Sequence, residues 1–107
     1  MILAVKLKNA IKKEAECCEL DLDFSLKNII INGEKQGCSG FVRNIRNNSV
    51  VYVNTGKPPV SSNLHYMYRC AGDERYHNRW ADTLDELVKG VCKCLTMTPE
   101  ETRDIRI

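Results

Sequence analysis

The sequence lacks the features of a membrane-bound or exported protein. No apolar run approaches the roughly 20 residues that a helix needs to cross a bilayer. The apolar stretch at residues 1–5 is followed at once by lysines, which is the reverse of the charge order in a secretory signal. Since the chain has no lipidation motif either, we expect a cytoplasmic protein that does not contact a membrane.

The sequence also lacks a CxxC pair, although it contains six cysteines. CxxC spacing is typical of zinc sites and of redox-active dithiols. The cysteines instead form one adjacent pair, one pair with a single residue between its members, and two isolated positions: Cys17 and Cys18, Cys92 and Cys94, Cys38 and Cys70. In a cytoplasmic chain this pattern favours free thiols that serve as small apolar side chains, and no metal site.

Groups suited to catalysis or to phosphate binding are scarce. The only histidines are His65 and His77, and their spacing from Cys70 does not require a Cys–His pair. Residues 56–58, Gly-Lys-Pro, lack the other residues of a P-loop. Residues 37–40, Gly-Cys-Ser-Gly, have the spacing of the KH-domain clamp, but we interpret these glycines as hairpin residues. We therefore expect no enzyme activity and no cofactor.

The composition that is present is typical of one globular domain. The chain has 107 residues, of which 43% are apolar, enough for one continuous core. It has 16 Lys and Arg against 14 Asp and Glu, for a net charge of +2. So small an excess creates no field that would recruit nucleic acid by itself, and any such binding must come from local clustering of charge.

Periodicity predicts a helix at each end of the chain and a sheet between them. Apolar residues recur at helical spacing over 3–18 and 84–95, and Thr83 and Glu86 form a capping box at the start of the second helix. Alternation and β-branched composition predict extended segments at residues 20–24, 29–31, 37–43, 49–54 and 64–70.

The predicted fold is α+β, as a single domain over residues 1–107. It has an N-terminal helix, a three- to four-stranded antiparallel meander and a C-terminal helix, with both helices packed on one face of the sheet. Polar and Pro- or Gly-rich segments predict loops over residues 56–62 and 72–82. A second helix start at residues 98–101 predicts a last helical turn.

One segment stands out as a candidate binding site, in the predicted loop before the second helix. It contains Arg75, Tyr76, His77, Asn78, Arg79 and Trp80, and it is joined by Arg69, Arg43 and Arg46 if the strands align. Arg, Tyr and Trp dominate binding hot spots, and the same side chains stack on unpaired bases. Trp80 fits two roles equally well, as a core residue that closes the helix–sheet seam or as part of this surface.

Several short motifs resemble small uncharacterised proteins encoded by phages, prophages and mobile elements of Firmicutes-like bacteria. They are Leu-Lys-Asn-Ala-Ile-Lys-Lys at 7–13, Gly-Phe-Val-Arg-Asn at 40–44, Val-Val-Tyr-Val-Asn at 50–54, Tyr-Arg-Cys-Ala-Gly-Asp at 68–73 and Asn-Arg-Trp at 78–80. The resemblance supplies no catalytic residues. It implies a setting in which small proteins bind and block a host protein, as an anti-CRISPR protein blocks a defence nuclease.

The leading functional hypothesis is therefore a non-catalytic protein-binding module that inhibits a host defence protein. The alternative is a nucleic-acid-binding module that uses the same Arg and aromatic residues at positions 75–80. The sequence does not indicate the identity of the partner or the oligomeric state.

Overall fold

The computed structural model describes residues 2–56, 66–70 and 78–97. Along the chain, these residues form one helix, then five strands, then a second helix. The elements are α1 (Ala4–Ala15), which a 3-10 turn continues (Glu16–Cys18), β1 (Leu22–Ile31), β2 (Glu34–Asn44), β3 (Ser49–Asn54), β4 (Tyr66–Cys70), β5 (Arg79–Ala81) and α2 (Leu84–Thr96). The predicted α+β class and the terminal helices are confirmed. The predicted loop at residues 56–62 lies largely outside the described residues, and the helical turn at 98–101 lies wholly outside them.

Within the described residues the sheet has five strands, where the sequence predicted three or four. Residues 22–24 and 29–31, from the two predicted extended segments, belong to one long strand, β1, because residues 25–28 continue the alternation of exposed and partly buried side chains. The additional strand is β5, which falls inside the predicted loop at residues 72–82. That loop assignment was wrong for residues 79–81, since a strand of three residues is too short to show a period.

The strands form a meander, with each strand antiparallel to its neighbour in the order β1-β2-β3-β4-β5. Asn32 and Gly33 join β1 to β2, and both have positive φ, as a two-residue hairpin turn requires. Between β2 and β3, Asn48 also has positive φ. The sequences Asn32-Gly33 and Asn47-Asn48 predict turns at these two places, and both turns are confirmed.

Both helices pack on the same face of the sheet, as predicted. Strand alternation directs Val42, Val51 and Val53 to this face, and each of them is fully buried. The helices contribute fully buried side chains from one stripe each, namely Leu7 and Ile11 from α1 and Leu87, Val91 and Leu95 from α2. The core therefore lies between one apolar sheet face and two helices that also contact each other. None of the described helices is long and apolar enough to cross a membrane.

Polar side chains around the β2–β3 turn bind the C-terminal end of α2. Asn44 Nδ2 donates to the carbonyl of Leu95 at 2.8 Å, and Ser49 Oγ donates to the carbonyl of Cys94 at 3.0 Å. Asn47 Nδ2 donates to the same Leu95 carbonyl at 3.1 Å. The last carbonyls of a helix have no partner within the helix, so these bonds satisfy buried acceptors and fix α2 against the sheet.

The start of α2 is capped by the side chains that the sequence indicated. Thr83 Oγ1 accepts a hydrogen bond from the Glu86 backbone N–H at 3.1 Å. The Glu86 carboxylate accepts from the backbone N–H of Asp82 at 3.0 Å, one residue before the usual partner in a capping box. The start and the direction of α2 are therefore fixed locally.

The glycines at residues 37–40 lie inside β2, which forms a hairpin with β1, so their assignment to a hairpin is confirmed. Gly40 has a φ of +147°, and a Cβ there would collide with the backbone carbonyl of Ser25 on β1. Only glycine permits β1 and β2 to approach this closely. The extended backbone also excludes the KH clamp, because that clamp connects two helices.

Two substitutions near the start of α2 should differ in their effect on stability. Thr83→Ala removes one exposed cap and should lower the free energy of unfolding by about 1 kcal/mol. Leu87→Ala truncates a fully buried side chain and should lower it by about 2–5 kcal/mol. Urea titrations of both variants measure the ranking, and an equal or inverted order would contradict this packing of α2.

Candidate functional site

The structure describes Arg69 and three of the residues at positions 75–80 that the sequence grouped as a site. Arg69 lies on β4, Asn78 is exposed just before β5, and Arg79 and Trp80 lie in β5 itself. Arg75, Tyr76 and His77 lie outside the described residues.

Strand alternation separates Arg79 from Trp80. Arg79 is paired with Tyr68, whose hydroxyl lies against Gly90 of α2, so both residues of this pair face the helices. Trp80 is paired with Met67 and faces the other side of the sheet, where it is 47% exposed. Trp80 is therefore not a core residue at the helix–sheet seam, which resolves the two roles left open by the sequence.

We call the sheet face opposite the helices the open face. The register of the five strands places its residues in rows. One row contains Ser25, Phe41, Tyr52 and Arg69; the next contains Lys27, Ser39, Asn54, Met67 and Trp80; a third contains Asp23, Arg43 and Val50. No described helix packs on this face. The aromatic pair Phe41 and Tyr52 lies at the centre of this face, on β2 and β3. The charged residues lie around that pair, namely Asp23, Lys27, Arg43 and Arg69.

Two aromatic side chains of the open face, Phe41 and Tyr52, contact each other, and Arg69 contacts Tyr52. The ring centroids of Phe41 and Tyr52 are 5.3 Å apart with planes tilted by 60°. The Arg69 guanidinium lies 5.4 Å from the centroid of the Tyr52 ring. Both distances are within the range of favourable aromatic and cation–π contacts. Phe41 is nevertheless 48% exposed, so a large apolar surface stays in contact with water.

Charge on the open face is sparse and mainly basic. Arg43 lies 3.8 Å from Asp23, and both side chains are about half exposed, so this pair contributes little to stability. Asn54 Nδ2 donates to the Tyr52 hydroxyl at 3.3 Å, which orients that ring. The face therefore presents a rigid aromatic centre with polar groups at its margin, an arrangement that is typical of binding surfaces.

The thiols nearest the core are not arranged for nucleophilic chemistry. Burial raises the pKa of the Cys92 thiol to about 12. A hydrogen bond with Cys70, together with burial, raises the pKa of Cys94. Burial also raises the pKa of Cys38 despite its contact with Thr55. Because the thiolate is the reactive species, these three groups are poor nucleophiles at neutral pH. Among the described residues, no cluster of three His, Cys, Asp or Glu side chains could hold a metal ion.

Sequence reasoning missed Phe41 and Tyr52. Each stands between residues that face the helices, in the segments Gly40-Phe41-Val42 and Val51-Tyr52-Val53. The alternation places an aromatic residue outward in both segments, and this signal was present in the sequence. The alternation alone did not identify a site, because only the register of β2 and β3 shows that Phe41 lies directly opposite Tyr52.

Comparisons with protein-family models, curated proteins and solved structures found no match to this chain.

The exposure of the cysteines yields a direct test of the packing. Cys17 and Cys18 are exposed, whereas Cys38, Cys70, Cys92 and Cys94 are buried, and all six are free. In reductant-free native protein at neutral pH, a thiol reagent should modify two cysteines rapidly and the other four only on unfolding. Titration with and without denaturant measures both numbers. More than two fast thiols, or fewer than six in total, would contradict the described core.

Proposed function

We propose that this chain is a non-catalytic protein-binding module whose partner docks on the open face. One observation carries the proposal: Phe41, Tyr52 and Trp80 share this face with Arg69, and two of the three aromatic rings are about half exposed. The proposed site contains Arg69 and Trp80 from the sequence-based group, together with Phe41 and Tyr52. It does not include Arg79, because Arg79 faces the helices.

Aromatic side chains that stay in water carry a free-energy cost. They recover that cost when a partner covers them, and Trp, Tyr and Arg supply most of the energy in measured interfaces. The rings are held on neighbouring strands of a sheet, so little conformational entropy is lost on binding. A standard interface needs roughly 800 Å² from each partner, which one face of a domain of this size can provide.

The class of partner that we propose follows from the resemblance to phage and mobile-element proteins. In that setting the partner is a host protein, and inhibition of a defence protein is the role that we propose for a non-catalytic module. The module would act by occupying a surface that the host protein needs.

A second candidate function is the binding of single-stranded nucleic acid on the same face. It is favoured by the row of Phe41, Tyr52 and Arg69 across adjacent antiparallel strands, since unpaired bases stack on aromatic and Arg side chains that a sheet face presents. The low net charge of +2 and the Arg43–Asp23 pair favour a protein partner instead.

Substitutions on the open face test the proposal. A partner is first captured from host cytoplasm on the immobilised chain and identified by mass spectrometry. Trp80→Ala and Arg69→Ala should each weaken its binding at least about 10-fold, because they remove a large contact and a directed cation. Both should retain the far-ultraviolet circular dichroism of the parent chain.

Lys13→Ala is the matched control, because Lys13 is exposed on α1, on the helix side of the sheet. It should leave partner binding unchanged. Wild-type affinity in both open-face variants would overturn the proposal. Binding of a fluorescent single-stranded oligonucleotide that requires Trp80 and falls steeply with salt would favour the second candidate.

A further inference from the structure

The first strand leaves one edge of the sheet unpaired within the described part of the chain. β1 is ten residues long, and it is the terminal strand in the sheet order. Its other edge is paired with β2 without interruption from Leu22 to Asn28, and the register shifts between Asn28 and Ile30. Natural proteins usually interrupt or cover a long, regular edge strand, because it is a template for pairing with another strand.

Within the regularly paired residues 22–28 of β1, the side chains at 23–27 would match those of a second copy that runs in the opposite direction. Ser25 is the central residue of this regular segment. If a second copy of β1 pairs antiparallel with the first around a two-fold axis at Ser25, Asp23 lies opposite Lys27 of the second copy. The same symmetry repeats this pair, so each copy contributes both charges. Opposite charges at directly paired positions stabilise antiparallel strands, and like charges destabilise them.

The same register pairs apolar with apolar residues on the helix side. Phe24 lies opposite Leu26 of the second copy, and the symmetry repeats this pair as well. Both side chains are only partly buried and pack at the margin of the core. A shift of the pairing by one residue would break both the charge pairs and the apolar pairs. A shift of two residues, centred on Phe24, would keep apolar pairs but would place Lys27 opposite Asp21, which lies outside β1. The pattern therefore favours the register centred on Ser25, in which both charge pairs lie within the strand.

The surface beside β1 also has apolar area that a second copy would cover. Two shallow grooves run between α1 and β1, and their apolar lining includes Val5, Leu20, Leu22, Phe24 and Leu26. Val5 is 70% exposed, although it is one of the larger apolar residues of α1. Pairing of the two strands would bring both sets of grooves to the same seam, so apolar burial would add to the backbone hydrogen bonds.

We propose that two copies of this chain form a two-fold symmetric dimer through antiparallel pairing of their β1 strands, centred on Ser25. The two five-stranded sheets become one continuous sheet. The open faces of both copies then lie side by side on the same side of that sheet. The dimer does not depend on the proposed function, since it uses the edge of the sheet and not its face.

Charge reversal at the seam tests the pairing and its register. Sedimentation velocity of the wild-type chain over a range of concentrations should show a monomer–dimer equilibrium. Lys27→Asp places an acidic side chain opposite Asp23 of the second copy. Asp23→Lys places a basic side chain opposite Lys27 of the second copy. Each variant alone should weaken the dimer at least about 10-fold, since every dimer contains two repulsive pairs.

An equimolar mixture of the two variants distinguishes this register from a nonspecific effect of charge. One chain then carries acidic residues at positions 23 and 27 and the other carries basic residues there, so every opposite pair is attractive again. The mixture should form a heterodimer at least as stable as the wild-type dimer. Lys35→Asp, at an exposed position near the start of β2, is the matched control and should dimerise normally.

A cross-link at the two-fold axis provides an independent measurement. Antiparallel partners that face each other have Cα atoms about 4.5–5.5 Å apart, within the range of a disulfide. With Cys17→Ser and Cys18→Ser as background, Ser25→Cys should give a covalent dimer under a mild oxidant, and Lys27→Cys should not.

A wild-type chain that is monomeric at every concentration would overturn the proposal, as would a mixture of charge variants that fails to associate. Dimers that persist in both single charge variants would overturn it too. Capture of an extended peptide from another protein on the β1 edge of a monomeric chain would assign the edge to a different partner.

Discussion

The alternation of β2 and β3 is the constraint on which the rest of the structure depends. Val42, Val51 and Val53 must face the helices, because they form the centre of the core. Period two then fixes Phe41 and Tyr52 on the opposite side, and the pairing of β3 with β4 and of β4 with β5 extends the same division to Arg69 and Trp80. A slip of one residue would exchange the core and the open face.

Polar contacts maintain this division between the two faces. Asn44 and Ser49 are buried at the end of the sheet and bind carbonyls at the C-terminus of α2, so the helix cannot shift without leaving buried polar groups unpaired. At the other end, Thr55 Oγ1 donates to the carbonyl of Ile2 at 2.8 Å and accepts from the backbone N–H of Cys38 at 2.9 Å. These contacts hold both helices on one face and leave the aromatic rings of the other face exposed.

The strongly periodic elements could be predicted from the sequence, and the short or interrupted ones could not. The stripe that begins at Leu84 and the cap at Thr83 located α2 almost to the residue. β5 could not be found, because its pairing with β4 decides it and three residues carry no pattern of their own. Composition selected Trp80, Arg69 and Arg79 as candidate site residues, but it could not show that Arg79 faces the helices. That separation follows from register, a long-range property.

The exposure of Trp80 is the most direct test of the open face, because it is the only tryptophan in the chain. The measurement is its fluorescence spectrum and its quenching by acrylamide in the native protein. A half-exposed indole on the face opposite the helices should emit near the wavelength of an exposed tryptophan, and acrylamide should quench it efficiently before unfolding. A blue-shifted emission that resists acrylamide until the chain unfolds would place Trp80 in the core, and it would contradict both the register of β5 and the proposal that the open face binds a partner.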